Sequence, residues 1–389
     1  MKKNVLFIYA SYGSGHKSVS NYVREYFEKN GDYNIISIDL IEYINLFGKI
    51  GFNLFNFNVS HGASKTFTAV YEILDKKMTP NMYNKFCMKS FDNAKLRKII
   101  ANFKPDLTIS SHFFGSYIIN EYNKMGICHS KILTILTDYK SHKLWEINLN
   151  DQDAIIVGND IVRNELINKG MVAKKIHSYG IPLNISYTTV NKSKEQVFKD
   201  FKFDSKKKTC LFFGGGSDGY MLYYDYLKKL VKNDYDFNII FVSGKNEKLK
   251  EKASELVIKN RCKNVVVLGF VNDVFSLYNA CDMVISKSGG ATVTECLETK
   301  KPMIILPGVG GQENYNAKFM ERKGYGIRCK SLFKFNRVMK KIEYNDILLN
   351  RLQSNINKEN HNQSIKNIFK LSVSLLKKWV FNSLFIFDP

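Results

Sequence analysis

The residues best suited to chemistry lie in the second half of the chain, in two polar turns that each follow an apolar run. The first turn and the start of its helix comprise Ser288, Gly289, Gly290, Ala291 and Thr292. Glu295 follows one helical turn later, and the second turn comprises Gly311, Gln312 and Glu313. Backbone N–H groups at a helix N-terminus bind phosphate, and carboxylate and amide groups hydrogen-bond hydroxyls. The order predicts a sugar-nucleotide site, with N–H groups for a diphosphate, Glu295 for ribose hydroxyls and Gln312 with Glu313 for sugar hydroxyls. An enzyme is therefore favoured.

A second glycine-rich turn follows the apolar run Leu211-Phe212-Phe213. It comprises Gly214, Gly215, Gly216 and Ser217. Successive glycines let the backbone approach a ligand closely, and backbone N–H groups there can face a diphosphate. Its recurrence with Gly289-Gly290 in the same half strengthens the prediction of a phosphate site.

The N-terminal turn, Ser11 to Ser18, contains a candidate base. It is no P-loop, because His16 stands where that motif needs its second glycine, and no dinucleotide fingerprint, because Ser18 replaces the third glycine. What remains is a strand, a tight turn and a helix with His16 in its first turn. The positive end of the helix dipole favours a neutral imidazole, which can accept a proton. A lone histidine is more often structural, but a position at a domain cleft favours a functional role.

The sequence gives little indication of a metal site or a redox site. Asp151-Gln152-Asp153 has a spacing that some glycosyltransferases use for a divalent metal, but it precedes a strand far from the phosphate turns, so loop capping is favoured. The seven cysteines are scattered without a C-x-x-C pair, which fits a reducing compartment and argues against zinc. We expect no metal site.

Short apolar runs alternate with amphipathic stretches, which is typical of β–α units around parallel sheets. Predicted strands are Val5–Ala10, Asn34–Asp39, Leu107–Ser111, Ile132–Thr137, Ala154–Val157, Cys210–Phe213, Asn238–Val242, Val265–Leu268, Met283–Ile285 and Pro302–Leu306. Predicted helices include His16–Lys29 and Asp160–Lys169. A boundary near 183–205 separates a predicted domain 1–190 from a second, 200–369.

The net charge of +22 favours an anionic partner. No nucleic-acid-binding motif is present, so nucleic acid ranks below a membrane or a nucleotide. The aromatic segment 41–60, followed by many lysines, suits either a membrane interface or a buried helix pair. Leu375–Phe387 poses the same choice, and packing of about 370–389 on the first domain is favoured. No signal peptide or apolar run of about 20 residues is present, which predicts a cytoplasmic or peripheral protein.

These motifs together resemble glycosyltransferase family 28. The donor segment is Ser286–Glu295 with 310–316. Further segments are Gly13–Ser18, Thr137-Asp138-Tyr139 with His142 and Trp145, and Tyr179-Gly180-Ile181-Pro182. They look like those of monogalactosyldiacylglycerol synthases and processive diacylglycerol β-glucosyltransferases, in order across about residues 4–330. One departure is Ser288, which takes the place of a proline common in these glycolipid enzymes.

The resemblance implies a GT-B fold of two Rossmann-like domains facing across a cleft. It also implies a UDP-glucose or UDP-galactose donor, inversion, a diacylglycerol acceptor, and neither a cofactor nor a metal in the chemistry. It assigns the donor site to the two polar turns, with Glu295 on the ribose, Gln312 and Glu313 on the hexose, and the backbone at Phe270 on the uracil. The residues from Gly214 to Ser217 would line the cleft from the other side.

For the acceptor half, the resemblance implies His16 as the general base that deprotonates the lipid hydroxyl. Asp138 or His142 would orient it or bind the acceptor, and His112 is a weaker substitute. The positive charge then predicts attachment to the anionic inner face of the cell membrane. Alternatives are another family 28 acceptor, a UDP-sugar epimerase of the same fold, and a non-catalytic sugar-nucleotide sensor. The donor turns do not separate glucose from galactose, since these sugars differ at one hydroxyl.

Overall fold

A computed structural model describes residues 2–11, 14–45, 48, 79–183, 192–215, 221–233, 235–308, 310–358 and 363–383. The chain forms two compact units. The first comprises Met1–Asn184, Val309–Gln312 and Asn362–Pro389, and the second comprises Ile185–Gly308 and Glu313–His361. Most of the aromatic segment 41–60 lies outside the described residues, and so does Gly216-Ser217.

The first unit is built on a six-stranded sheet in the order β2-β1-β3-β4-β5-β6, and every neighbouring pair is parallel. Its strands are β1 (Lys3–Tyr9), β2 (Tyr33–Asp39), β3 (Leu107–Ser110), β4 (Lys131–Ile135), β5 (Ala154–Ile156) and β6 (Ile176–His177). The central strands β1 and β3 are largely buried on both faces, as expected for parallel strands covered by helices.

Helices cover this sheet. They are α1 (Ser14–Asn30), α2 (Pro80–Phe91), α3 (Ala94–Phe103), α4 (Phe113–Lys124), α5 (Lys143–Glu146), α6 (Asp160–Asn168) and the C-terminal α15 (Ser364–Ser383). Single turns of 3₁₀ helix occur at Leu40–Tyr43, Leu149–Asp151 and Ala173–Lys175. The α15 side chain Phe369 packs edge-on against Phe27 of α1, with ring centroids 4.9 Å apart. This contact places the C-terminal helix on the first unit.

The second unit repeats the design with the order β12-β11-β10-β7-β8-β9, again all parallel. Its strands are β7 (Lys208–Phe213), β8 (Phe237–Val242), β9 (Val265–Leu268), β10 (Met283–Ser286), β11 (Met303–Ile305) and β12 (Gly326–Arg328). Its helices are α7 (Lys194–Phe201), α8 (Leu222–Lys232), α9 (Glu247–Lys259), α10 (Val274–Ala280), α11 (Gly290–Glu298), α12 (Gln312–Arg322), α13 (Leu332–Tyr344) and α14 (Ile347–Ile356).

The predicted α/β architecture is confirmed, and all ten predicted strands form, nine of them with ends shifted by one or two residues. Two strands, β6 and β12, were not predicted. They have two and three residues, and each lies at one edge of its sheet. Each of these strands contains a single isoleucine, whereas the equally short β5 and β11 consist of apolar residues alone and were predicted. Among the helices that the structure describes, none has the length and hydropathy needed to cross a bilayer.

Candidate active site

The first unit holds His16 at the start of α1, beside the carboxyl ends of β3 and β4. The side chain is buried, and its Nδ1 lies 2.7 Å from the backbone oxygen of Ser111. The Ser111 hydroxyl donates in return to the backbone oxygen of His16 at 2.8 Å. Thr137, in the loop after β4, brings its hydroxyl oxygen within 3.1 Å of the same Nδ1. Two loops therefore fix one nitrogen of the ring.

This contact sets the tautomer of His16. A carbonyl oxygen can only accept a hydrogen bond, so Nδ1 must carry the proton and donate to Ser111. Burial is the main cause that lowers the pKa of His16 to about 4, against the opposing effect of the Ser111 hydrogen bond. The ring is then neutral at physiological pH, and its Nε2 has a lone pair. The geometry thus gives His16 the form of a general base.

Aromatic and histidine rings surround His16. The ring centroids of His112 and Trp145 lie 4.5 and 6.5 Å from that of His16, and His142 lies 6.1 Å from Trp145. Burial, with the positive potentials of His16 and Lys169, lowers the pKa of His142 to about 3. The predicted motif residues Thr137, His142 and Trp145 therefore lie together beside His16. Burial at this site keeps the imidazole rings neutral.

His112 has a different task from the one predicted for it. It is the N-cap of α4, and its Nδ1 accepts a hydrogen bond from the backbone N–H of Phe114 at 3.2 Å. Its proton must then lie on Nε2, so the nitrogen with a lone pair is already in use. Burial above all, followed by His16 and His142, places the pKa of His112 well below its ordinary value. A capping histidine is poorly suited to replace His16 as a base.

Asp138 is buried directly after Thr137, in the loop that follows β4. The contacts of His16 Nδ1 come from Ser111 and Thr137. The predicted roles of Asp138, as a residue that orients His16 or binds the acceptor, stay predictions. Ser111 and Thr137 were not foreseen as partners, because their approach depends on the order in which the strands pair.

In the second unit, α11 begins at Gly290 straight after β10. Its N-cap Gly289 makes no side-chain capping bond. The first N–H groups of a helix have no partner within the helix, so the start of α11 offers backbone donors. Diphosphate binding by the residues from Gly289 to Thr292 stays a prediction. Ala291 and Thr292 are half-buried in this first turn. The positive end of the helix dipole adds to the attraction for an anion.

Ser288 joins the two polar turns. Its hydroxyl donates to the backbone oxygen of Glu313 at 2.6 Å, and its own backbone oxygen accepts from the Asn316 amide at 3.2 Å. A proline could not make the hydroxyl bond, so the departure from the family pattern supplies a tie between β10 and α12.

The second turn is shaped by glycine and by an ion pair. Gly310 and Gly311 have φ values of 103° and 55°, a region that favours glycine, and Gln312 then opens α12. The Glu313 carboxylate pairs with the Lys287 ammonium, and both side chains are largely buried, at 16% and 18% exposed. A Cβ on Gly308 would lie 2.0 Å from Glu313 Oε2, so that glycine makes room for the carboxylate. No role was predicted for Lys287, which lies within the segment Ser286–Glu295, or for Gly308, which precedes the second turn.

Glu295 is half-buried on α11, and its Oε2 accepts a hydrogen bond from the Tyr278 hydroxyl at 2.8 Å. Phe270 is 57% exposed, and the Lys245 ammonium lies 5.3 Å from its ring centroid. Its predicted backbone contact with uracil stays a prediction.

The glycine run after β7 has a packing reason as well as the predicted ligand role. The N–H of Gly214 donates to Val242 at 2.7 Å, and a Cβ there would lie 2.9 Å from Leu249. Gly215 has a φ of 112°, which favours glycine. Close packing on β8 explains Gly214 without a ligand.

The two carboxylates of the D-x-D segment are used by the fold. Asp151 accepts from Asn120 at 3.1 Å, and Asp153 pairs with Lys131 at 3.0 Å and accepts from the backbone of Ile132. These contacts agree with the expected capping role.

Solved structures with the same fold define the class of this protein. Acinetobacter baumannii MurG aligns with a TM-score of 0.64 and 13% identity over 96% of this chain and 99% of that one. The UDP complex of S. aureus MnaA aligns with a TM-score of 0.63 and 13% identity, over 100% and 99%. These likenesses concern the fold, and they confirm the predicted GT-B class.

Two family models match the chain, one in each half. The model for monogalactosyldiacylglycerol (MGDG) synthase matches residues 16–183, and the glycosyltransferase family 28 C-terminal domain matches residues 209–372. The chain belongs to glycosyltransferase family 28, as its motifs predict. The two matches contain the His16 site and the α11 site respectively.

The names of curated relatives agree with the assignment to a glycosyltransferase family. A processive diacylglycerol beta-glucosyltransferase of Bacillus cereus (strain AH187) is 27% identical over 338 residues, which cover 83% of this chain and 81% of that protein. The protein of the same name from Bacillus subtilis (strain 168) is 27% identical over 326 residues, with coverage of 84% and 83%. The predicted enzyme class, a glycosyltransferase, is confirmed.

Proposed function

We propose that this protein transfers a hexose from UDP-glucose or UDP-galactose to the hydroxyl of diacylglycerol, with inversion at the anomeric carbon. The MGDG synthase match and the names of the curated relatives support this acceptor. The structural observation that carries the proposal is the buried, neutral His16, whose Nδ1 donates to Ser111 and whose Nε2 is the basic nitrogen. An inverting transfer needs one positioned base of this kind.

The chemistry is a single displacement. His16 Nε2 takes the proton of the lipid hydroxyl while the hydroxyl oxygen bonds to the anomeric carbon. The bond from that carbon to the β-phosphate oxygen breaks, and UDP leaves with the electron pair. The Nδ1–H bond to Ser111 stabilises the imidazolium that forms, as a carbonyl acceptor does for a charged ring. The low pKa of His16 then favours release of the proton to water once the transfer is complete.

The donor is held by the second unit. The N–H groups from Gly289 to Thr292 bind the diphosphate and stabilise the charge that grows on it. Glu295 accepts from the ribose hydroxyls, and Gln312 and Glu313 bind the hexose. This scheme uses no metal ion and no cofactor.

We also propose that the protein works on the anionic inner face of the cell membrane, and α2 supplies a suitable surface. Met82 and Phe86 are 54% and 40% exposed, and Lys85 and Lys89 are exposed on the same helix. Positions 82, 85, 86 and 89 share one helical face, while Tyr83 and Cys87 are buried behind it. We call these four side chains the α2 face. Apolar groups flanked by lysines suit the interface of an anionic bilayer.

The proposed function is tested by identifying the reaction product. Purified full-length protein is incubated with vesicles of diacylglycerol and phosphatidylglycerol and with either UDP-glucose or UDP-galactose. We expect a β-linked hexosyl-diacylglycerol, seen by mass spectrometry and by the anomeric proton coupling in NMR, with a preferred donor. The appearance of di- and trihexosyl lipids over time would show processive addition. Absence of lipid product with both donors would contradict the proposal, and turnover of UDP-N-acetylglucosamine without an acceptor would indicate an epimerase.

A further inference from the structure

A buried tyrosine stands behind the carboxylate that the proposed function assigns to the ribose. Tyr278 lies on α10 and is 0% exposed, and its hydroxyl donates to Glu295 Oε2 at 2.8 Å. A buried tyrosine hydroxyl requires a hydrogen-bond partner, and a bond to an ionised carboxylate is among the stronger ones. The contact joins two helices of the second unit, α10 and α11.

Tyr278 makes further contacts through its ring and its backbone. Its centroid lies 5.6 Å from that of Phe213 at the end of β7. Its backbone oxygen accepts from the Cys281 thiol at 3.3 Å, just past the end of α10. The hydroxyl is therefore a fixed donor, whereas Glu295 is half-buried and has several rotatable bonds.

We propose that Tyr278 is a positioning residue for donor recognition: its hydroxyl orients Glu295 so that the carboxylate accepts from a ribose hydroxyl of the nucleotide. A carboxylate has about four acceptor positions, so the bond from Tyr278 leaves capacity for a sugar hydroxyl. This inference rests on the proposed ribose role of Glu295. Because Tyr278 is buried and its hydroxyl bonds Glu295, the role assigned to it is positioning rather than catalysis.

The test is nucleotide binding to the full-length protein by titration calorimetry, with UDP and with 2′-deoxy-UDP. If Glu295 accepts from the 2′-hydroxyl, the wild type prefers UDP by roughly tenfold or more, the usual effect of a hydrogen bond to a charged group. In Tyr278→Phe we expect UDP to bind about 3- to 10-fold more weakly. Binding of 2′-deoxy-UDP should change less than about twofold, so the preference shrinks.

A matched control removes another buried tyrosine hydroxyl from the same unit. Tyr235 is 3% exposed, and its hydroxyl bonds to the Asn336 side chain at 2.6 Å, next to the start of β8. Tyr235→Phe should leave the preference for UDP unchanged. A general loss of packing would affect both variants and both nucleotides, which separates it from a positioning role.

Glu295→Ala separates failure of this inference from failure of the ribose assignment, because alanine has no side-chain acceptor. If Glu295→Ala abolishes the preference for UDP and Tyr278→Phe does not reduce it, Tyr278 has no positioning role while the ribose assignment stands. If Glu295→Ala keeps the preference, the ribose assignment and this inference both fail. If Tyr278 acts through Glu295, adding Tyr278→Phe to Glu295→Ala should weaken UDP binding no further, whereas additive losses would contradict the inference.

Discussion

At the scale of single residues, His16 differs from its neighbours by what its ring nitrogens bind. Its Nδ1 faces a carbonyl, whereas Nδ1 of His112 faces a backbone N–H. The two rings lie close together, yet the first has its basic nitrogen at Nε2 and the second uses its basic nitrogen to cap a helix. A histidine is therefore a base or a cap according to the group that Nδ1 contacts.

The pH dependence of kcat/KM follows from the low pKa of His16. A histidine with a pKa of about 4 is deprotonated at all higher pH values, so the base form is complete near neutrality. We expect kcat/KM to stay level from about pH 8 down to about pH 5.5 and to fall below that, since this parameter reports the free enzyme. Initial rates with vesicle-bound acceptor at fixed ionic strength measure the profile. A tenfold decline between about pH 7.5 and 5.5 would show an ordinary histidine pKa instead.

Some site residues could be predicted because their motif has a local physical reason. Gly289-Gly290 and Glu295 are recognisable because a turn, a helix start and a carboxylate follow one another along the chain. Ser111 and Tyr278 could not be found in this way. They reach His16 and Glu295 from other elements, and only the order of strands in each sheet brings them there.

At the scale of elements, both sites lie where strands of a parallel sheet end and helices begin. β1 leads into α1, and β10 leads into α11. This is the edge at which open α/β sheets bind ligands. The apolar runs predicted these strands well, because strands buried on both faces are nearly continuous in hydrophobic residues. The two- and three-residue strands β6 and β12 depend on pairing with a neighbour, which a single segment does not reveal.

The reason for a glycine also could not always be predicted from the sequence. The sequence predicted Gly214 as a point of close ligand approach, and the structure adds a tight contact with β8. Gly308 drew no prediction, although a Cβ there would overlap the Glu313 carboxylate. Both requirements come from tertiary neighbours rather than from local conformation.

The α2 face gives a prediction about membrane binding. Replacing Met82 and Phe86 by serine should lower the fraction of protein that sediments with phosphatidylglycerol vesicles about tenfold, because two partly inserted apolar side chains are lost. Ile258→Ser, at a site 75% exposed on α9, serves as the control and should bind normally. Wild-type binding should also weaken with salt and be much lower on neutral vesicles. Equal sedimentation of all variants would exclude this surface, and equal binding to both vesicle types would contradict the electrostatic part of the proposal.

At the scale of the whole molecule, the chain has two units that carry different functional groups. The first contains a neutral base in a buried ring cluster, and the second contains uncapped helix N–H groups with two carboxylates. The family models divide the chain similarly: the match to residues 16–183 lies within the first unit, and the match to residues 209–372 lies mostly in the second. Motif order was enough to predict the GT-B fold and the family, since each motif keeps its place along the chain.

The most direct test of the account is the rate of hexose transfer by His16→Asn. Asparagine can still donate to Ser111 but has no basic nitrogen, so transfer from the preferred UDP-hexose to diacylglycerol should fall by about 10²- to 10⁴-fold. UDP affinity should stay within about twofold, because the donor is bound by other residues. The control is His177→Asn, a half-buried histidine of β6 beside Tyr179, which should retain nearly full activity. Loss of transfer in His16→Asn with normal UDP binding is the predicted result, and a His16→Asn enzyme as active as His177→Asn would contradict the assignment of His16 as the base.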